Sequence, residues 1–546
     1  MQYVIPFVLA MVVTVAVLPV MMRLAARWLI VDQPGARKVH TTPIPRVGGV
    51  AMAIGIIVAA VVTIDLHAQD RWFLAGAATL VVFGVMDDRF DLDYRVKLLG
   101  QLLAAGMVVI AGGVQVRSLA FDDLIVLSPW VSLPLTICFV VGVTNAINLA
   151  DGLDGLAGGT TFLSLCAVAI LSSLSDQATG VALALTFAGA VLGFLRFNTY
   201  PASVFMGDAG SQLLGFAVAV LSVRATQGEA SQISATIPVL LLAVPILDTL
   251  SVMVQRVSEG RSPFSADKNH IHHKLLALGF VHHEAVMVNY VLQAALFLLA
   301  YFLRFESDLL ILGVVTIFFA LAIALLQAAA RCGWHLRRGA PAASNGRIRR
   351  LLARLRAPEL LPQLAFRAIA GSLAVYAALI VLKTAQFSND LRLLIMALLA
   401  VAVGFLATLR GRPLNLAEKA VVYVTATVLV YLDAVVAAPD RLVSVLTWIA
   451  VSVVAIGTAL RLHLQNDRRF QLTPLDLIVL FMALVVPNLP GSLNLPQGGA
   501  PAIAKLAIVF YAVEVLVVRA EGKAAWVRIA ATAVLTGLAV RTLVPF

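Results

Sequence analysis

Apolar runs of roughly 17–25 residues, separated by short polar stretches, recur along the whole chain. A run of that length crosses a ~30 Å hydrocarbon core as a helix. A helix is also the one open-chain element that satisfies its own backbone groups in lipid. The pattern predicts spans near 3–22, 48–65, 71–86, 97–113, 131–149, 155–174, 178–195, 209–223, 233–255, 286–303 and 308–329, eleven in all. The first run lacks the basic start of a secretory signal and exceeds its apolar core of ~7–15 residues, so it reads as a retained span. Residues 331–356 then carry eight arginines and no acid, which cannot sit in lipid. Seven more runs follow near 365–383, 391–409, 420–437, 442–460, 474–488, 502–518 and 527–541. The predicted fold is therefore all-α and polytopic, with a membrane domain over 1–330, an Arg-rich cytoplasmic linker over 331–356 and a C-terminal membrane domain over 357–546.

Composition agrees: of 546 residues 61% are hydrophobic and 13% charged, which leaves too little polar surface for soluble domains. Cys138, Cys166 and Cys332 are scattered, so neither a disulfide framework nor a zinc spacing exists. Forty Lys and Arg against 29 Asp and Glu leave +11. Loop by loop this excess has a direction. The odd loops of the first half (23–46, 87–97, 145–158, 196–208, 256–285) hold 5, 3, 0, 1 and 4 basic residues, whereas the even loops hold only Arg71, Arg117, Arg224 and Arg304. Basic residues mark the cytoplasmic side, so the odd loops are expected in the cytoplasm and the N-terminus outside. The basic residues form no aromatic-interleaved stripe, so anionic lipid and anionic substrate are the expected partners and nucleic acid is not.

Ionisable groups are expensive at membrane depth, and where a chain keeps them is a guide to its chemistry. They gather on the odd loops. The third run ends in GVMDDRFDLDYRVK, with Asp87, Asp88, Asp91 and Asp93; the fifth ends in TNAINLADGLDGLAGG, with Asn145, Asn148, Asp151 and Asp154. FNTYPASVFMGDAGSQLLGF follows the seventh, with Asn198, Phe205, Asp208 and Ser211; RVSEGRSPFSADKNHIHHKLL follows the ninth, with Arg261, Asp267, Lys268, His270, His272 and His273. Singly, each has a plain explanation: solvated acids at a helix end, an N-cap, a histidine cluster at headgroup level. Together, on alternate loops, they converge on one face.

Carboxylates and amides without a thiol or a nucleophile elbow suit a hard cation such as Mg²⁺, which takes one or two protein carboxylates and completes its shell with water and substrate phosphate. Glycines beside Asp151, Asp154 and Asp208 let backbone N–H groups approach a pyrophosphate. Arg37, Lys38, Arg46, Arg261 and Lys268 can neutralise its charge, and Phe205 can stack on a base or simply fill core.

The motifs DDRFD, NAINLADGLDGLAGG, FMGDAGS and SPFSADKNHIHH, in this order, resemble the polyprenyl-phosphate N-acetylhexosamine-1-phosphate transferase family over about residues 1–330. Ile271 interrupts the histidines and RKVHTTPIPRVGG precedes them, a pattern similar to the N-acetylglucosamine-type branch. The resemblance implies a reaction: UDP-N-acetylhexosamine and undecaprenyl phosphate give undecaprenyl-diphosphate-HexNAc and UMP, with Mg²⁺ (or Mn²⁺) as cofactor. It implies Asp208 as metal ligand and Asn148 with Asp151 holding the metal or diphosphate. Asp87, with Asp88 beside it, would deprotonate or orient the lipid phosphate. Gly152, Leu153 and Asp154 would line the uridine site, with Phe205 stacked on uracil. His270, His272, His273 and Arg261 would bind diphosphate or sugar, and Asn198, Lys38, Arg46 and Asp267 fall to the substrate side. It further implies a bacterial inner-membrane enzyme initiating a cell-envelope glycan, with a homodimer or downstream glycosyltransferases as candidate partners.

In the ninth run Asp248 lies eight residues before Arg256, about 12 Å below the cytoplasmic end, and is expected to face a polar cavity. Pro245 is expected to bend that helix and open a side groove for a prenyl tail. The C-terminal domain has no comparable cluster; its Asp433, Asp476 and Glu514 are expected near helix ends or paired within the bundle, and its role is open. The competing reading is a transporter or flippase of lipid-linked sugar, against which stand the absence of an internal repeat and the one-sided polar clusters.

Overall fold

The computed structural model describes residues 3–33, 43–121, 124–228, 231–262, 270–336, 360–384, 389–408, 416–435, 441–464, 474–484, 499–519 and 524–543. They are almost wholly helical, and nine of their helices are long and apolar enough to cross a membrane. The chain forms two compact units, residues 1–340 with 473–478, and residues 341–472 with 479–546. The first change of unit, between residues 340 and 341, falls inside the Arg-rich stretch.

The first unit runs α1 (Val4–Trp28), β1 (Val31–Asp32), β2 (Ile44–Pro45), α2 (Gly48–Thr63), α3 (Ala68–Phe90) and α4 (Tyr94–Gly106), which continues as a π-helical turn over Met107–Ala111. A short hairpin, β3 (Ser118–Ala120) and β4 (Leu124–Val126), precedes α5 (Pro129–Ala150), α6 (Leu156–Leu174), α7 (Ala178–Asn198) and α8 (Gly207–Gln227). Then come α9 (Ile237–Leu241), α10 (Ala243–Ser258), α11 (Ile271–Ala277), α12 (His282–Phe302) and α13 (Asp308–Arg331). Both strand pairs are antiparallel, Val31 opposite Pro45 and Leu119 opposite Ile125.

Burial orders these helices. α6 is buried continuously from Leu156 to Ser172 and α8 from Ala209 to Val223, as expected for helices at the centre of a bundle. α13 buries only Asp308, Ile311 and Val315 of its described side chains and exposes Ile317, Leu321 and Leu325, the pattern of a helix whose solvent is lipid. α3 and α5 flank α8, and α1 and α2 pack on α7. Close approach at the head of α8 depends on small residues: a Cβ at Gly84 would strike the backbone of Asp208 and Ala209, and one at Gly49 the backbone of Gly210.

The predicted ninth span is two helices. The chain breaks at Leu242 (φ −103°, ψ 18°) between α9 and α10. Pro245 contributes to that break: it has no N–H to offer the Leu241 carbonyl four residues earlier, which accepts from the Gln293 amide instead at 2.8 Å.

The second unit holds α14 (Leu360–Lys383), α15 (Asn389–Thr408), α16 (Leu416–Val435), α17 (Arg441–Leu464), α19 (Gly499–Arg519) and α20 (Ala524–Leu543), while α18 (Pro474–Leu484) is divided, its residues to Ile478 grouping with the first unit and those from Val479 with the second. Its core is built on Tyr376, Ile380, Leu429, Val451, Val513 and Leu538. Asp433 is paired within this bundle, with Lys383 and Lys505.

Candidate active site

The acidic cluster is assembled by a turn. α3 ends immediately after DDRFD, where Asp91 takes the left-handed conformation (φ 51°) and donates its N–H to the Asp87 carbonyl at 2.9 Å. Asp93 caps α4 by accepting from the Arg95 N–H at 2.9 Å, so the chain reverses and Lys97 comes back over α3. The Lys97 ammonium lies 2.6 Å from Asp87 Oδ2 and 3.4 Å from Asp208 Oδ2, joining carboxylates 121 positions apart. The other Asp87 oxygen accepts the Leu92 N–H at 2.8 Å.

Asp88 caps the central helix. Its two oxygens accept the N–H groups of Asp208 (3.0 Å) and Ala209 (3.2 Å), which lie in the first turn of α8, where N–H groups lack helical partners. Gly207, with φ +68°, makes the entry: a Cβ there would strike the Asp88 carboxylate. The Asn148 amide donates to Asp208 Oδ1 (2.8 Å) and to Ser211 Oγ (2.7 Å), and Ser211 donates to the Gly207 carbonyl (3.1 Å). Asn148 therefore orients the Asp208 carboxylate. One turn below Lys97, Gln101 donates to Asn145 and to Gln212, both at 3.2 Å, a polar layer that holds α4, α5 and α8 together under the carboxylates.

The loop 151–155 is held from three sides. Gly155 (φ +81°) donates its N–H to Asn198 Oδ1 (2.9 Å), and its carbonyl accepts from Tyr290 OH (2.6 Å). Asp154 accepts the Ala202 N–H (3.0 Å) and donates its own N–H to His282 Nε2 (3.0 Å). Asn198 is 2% exposed and spends its amide N–H on the Val204 carbonyl, so it braces two loops. Leu153 is buried. Burial, then the negative charges of Asp208, Asp154 and Asp88, push the Asp151 carboxyl up to about 7 against the pull of Arg46.

The histidines meet this loop. A Cβ on Gly152 would strike the His272 ring. His272 lies parallel to His270, with ring centroids 5.7 Å apart, and tilted by 46° against His273 at 4.3 Å. Asp248 accepts the Ile271 N–H at 2.6 Å and lies 2.9 Å from His270 Nδ1. It lines a cavity of about 20 Å³, room for about one water, where Thr160, His272 and Asn289 stand beside Ala150, Leu156, Val244 and Pro245, so the cavity expected to be polar is largely apolar. Burial and then the charge of His273 hold the His272 imidazole down to about 4.

Of the other candidates, Arg46 pairs with Asp32, and the Phe205 backbone joins α2 to the entry of α8, donating to the Pro45 carbonyl (2.8 Å) and accepting from the Gly48 N–H (3.0 Å). Arg261 is exposed and pairs with Glu259 at 3.1 Å. Lys38 and Asp267, like Arg37 and Lys268, lie outside the described residues. The sequence reading missed Lys97, Gln101 and His282. Lys97 had a signal, as the sole lysine between positions 39 and 267.

Among the described residues no three His, Cys, Asp or Glu form a closed metal cage. The oxygen donors of Asp208 and Asp87, both reached by one ammonium, instead suit an open site completed by substrate phosphate. An apolar groove of about 310 Å³ lies between α1, α2 and α3, lined by Met21, Trp28, Val50, Val82 and, next in the chain to Arg46 and Asp87, by Val47 and Met86.

Fold and site define a multi-pass helical membrane protein with a carboxylate and ammonium cluster at the head of its central helix and an apolar groove beside it. Residues 71–226 match the model of Glycosyl transferase family 4. The chain is 37% identical over 295 residues (53% of this chain, 82% of the relative) to a Bacillus subtilis protein named "Probable undecaprenyl-phosphate N-acetylglucosaminyl 1-phosphate transferase". It is 37% identical over 299 residues (49% and 75%) to the decaprenyl-phosphate N-acetylglucosaminephosphotransferase of Mycobacterium leprae. With the undecaprenyl-phosphate alpha-N-acetylglucosaminyl 1-phosphate transferase of Yersinia pestis it shares 34% over 290 residues (52% and 79%). The chain belongs to the polyprenyl-phosphate N-acetylglucosamine-1-phosphate transferase family.

Proposed function

We propose that this protein transfers N-acetylglucosamine 1-phosphate from UDP-N-acetylglucosamine to undecaprenyl phosphate at the cytoplasmic face of a bacterial inner membrane. UMP is released, and the lipid-linked product is the substrate for downstream glycosyltransferases. The observation that carries this reading is Lys97 bridging Asp87 and Asp208 at the head of α8, next to a groove that suits an isoprenoid tail. The names of the relatives supply the sugar and the lipid, and the basic loops supply the orientation.

Phosphoryl transfer asks a protein mainly for positioning and charge neutralisation. An oxygen of the lipid phosphate attacks the β-phosphorus of the donor, a new P–O bond forms, and the bond to the bridging oxygen breaks so that UMP leaves with it. Asp87, buried and next in chain to a groove residue, is placed to orient the lipid phosphate and hold its proton. Lys97 neutralises charge on the incoming phosphates, and Asp88 keeps the head of α8 in place. Asp208, oriented by Asn148, would hold Mg²⁺, with Mn²⁺ as substitute, and that ion supplies charge neutralisation on the diphosphate. Asp154, Gly152 and Phe205 fall to the nucleotide, and His270, His272 and His273 to the diphosphate or sugar.

The test is incubation of the purified full chain with UDP-N-acetylglucosamine, undecaprenyl phosphate and Mg²⁺. UMP and a lipid-linked sugar should appear together, chelation of the metal should stop both, and Asp208→Asn should lower turnover more than about 100-fold while still inserting. No UMP with this donor or with UDP-N-acetylgalactosamine would contradict the reading, and is what a transporter would give.

A further inference from the structure

The second unit holds a buried ionic group that the transferase reaction does not use. Asp433, near the end of α16, is met by Lys383, the last residue of α14 (Nζ to Oδ1 3.2 Å), and by Lys505, in the second turn of α19 (Nζ to Oδ2 2.5 Å). The three side chains are only 4%, 5% and 9% exposed. Tyr376 OH donates to Asp433 Oδ2 at 3.3 Å, and Lys383 also donates to the Asp433 carbonyl at 3.2 Å. The Lys505 ammonium sits 4.4 Å from the centroid of the Trp448 ring, which is 42% exposed.

Among the described residues the group does not balance: two ammonium groups share one carboxylate, a formal excess of +1. An unpaired ion out of water costs several kcal/mol even after relaxation. Among the described residues the same bundle holds a second buried pair. Arg528 donates to both oxygens of Glu418, at 2.7 and 3.2 Å. Glu418 and Asp433 lie fifteen positions apart on α16, about 22 Å along its axis, so the two groups occupy opposite ends of the membrane crossing. Asp433 is thus near the depth of lipid headgroups, where tryptophan is also at home. Lys505 has three N–H donors and gives one to Asp433, and the exposed Trp448 ring marks the side from which an anion would arrive.

We propose that Lys505 and Lys383 form a binding site for a phosphate anion at this end of the C-terminal unit, entered beside Trp448. A lipid headgroup and free phosphate share the chemistry. The purified full chain is tested by native mass spectrometry and calorimetry with dioleoylphosphatidylglycerol and with inorganic phosphate. Wild type should retain a phosphatidylglycerol molecule that Lys505→Gln binds at least tenfold more weakly. Displacement of that lipid by inorganic phosphate would assign the site to free anions, and its persistence would assign it to the headgroup. Lys505→Gln leaves Lys383 and Asp433 as a neutral pair and should elute as wild type does. If it does not, Lys383→Gln, which leaves Lys505 with Asp433, carries the same test. Unchanged binding in the variant that folds, or no saturable binding of either probe by wild type, would overturn the site.

Discussion

Lys97 shows most clearly what a residue's position does here. One ammonium touches a carboxylate from its own helical hairpin and another from the central helix, so its charge both holds the acids together and stands ready for phosphate. Lys97→Gln should lower turnover about 100-fold with little change in elution or insertion, read by UMP release at saturating substrates. Asp88 separates structure from chemistry in another way. Asp88→Ala removes the acceptor for two N–H groups of α8 and should cost about 1 kcal/mol, seen as a lower thermal midpoint in detergent, while Asp88→Asn keeps an acceptor and most of that stability. The acids themselves were legible because four Asp in seven residues at the end of an apolar run have no use in lipid. Lys97 was less so, since its importance comes from the reversal at Asp91 and Asp93, which is set by backbone conformation. Asn148 and Asn198 were recognised as site residues from their motifs, but only the geometry shows that one orients Asp208 and the other braces two loops.

Elements were readable wherever lipid dictates them: helices stand where the runs stand, and among the described residues nine are long and apolar enough to cross a membrane, eight of them before residue 340. The bend in the ninth run was legible from Pro245, which leaves the carbonyl four residues earlier without its helical donor; its placement at Leu242 was not, because a leucine between apolar neighbours carries no stop signal. The short α11 puts His272 into a buried place, with a measurable consequence. The unfolded chain takes up a proton near 6.5, whereas the folded imidazole resists it down to about 4. Stability is therefore present above 6.5 and is lost as pH falls through that window. The thermal midpoint of wild type should drop between pH 6.5 and 4 more steeply than that of His272→Gln; equal slopes would place the proton uptake elsewhere.

At the scale of the whole molecule, the basic excess in the sequence predicts an orientation. In a background without Cys138, Cys166 and Cys332, a cysteine at Arg261 should react with an impermeant reagent only when the cytoplasmic side is open, and one at Phe305 only from outside. The chain joins a unit whose chemistry its motifs announce to a second unit whose charged groups stand singly along the sequence and become a cluster only when α14, α16 and α19 pack together. The central claim is that a sugar phosphate, and not a bare sugar, moves to the lipid. UDP-N-acetylglucosamine carrying ³²P at the β-phosphate tests it in one reaction with undecaprenyl phosphate. The account predicts that the label passes to the lipid and that unlabelled UMP is released; label remaining in released UDP would contradict it.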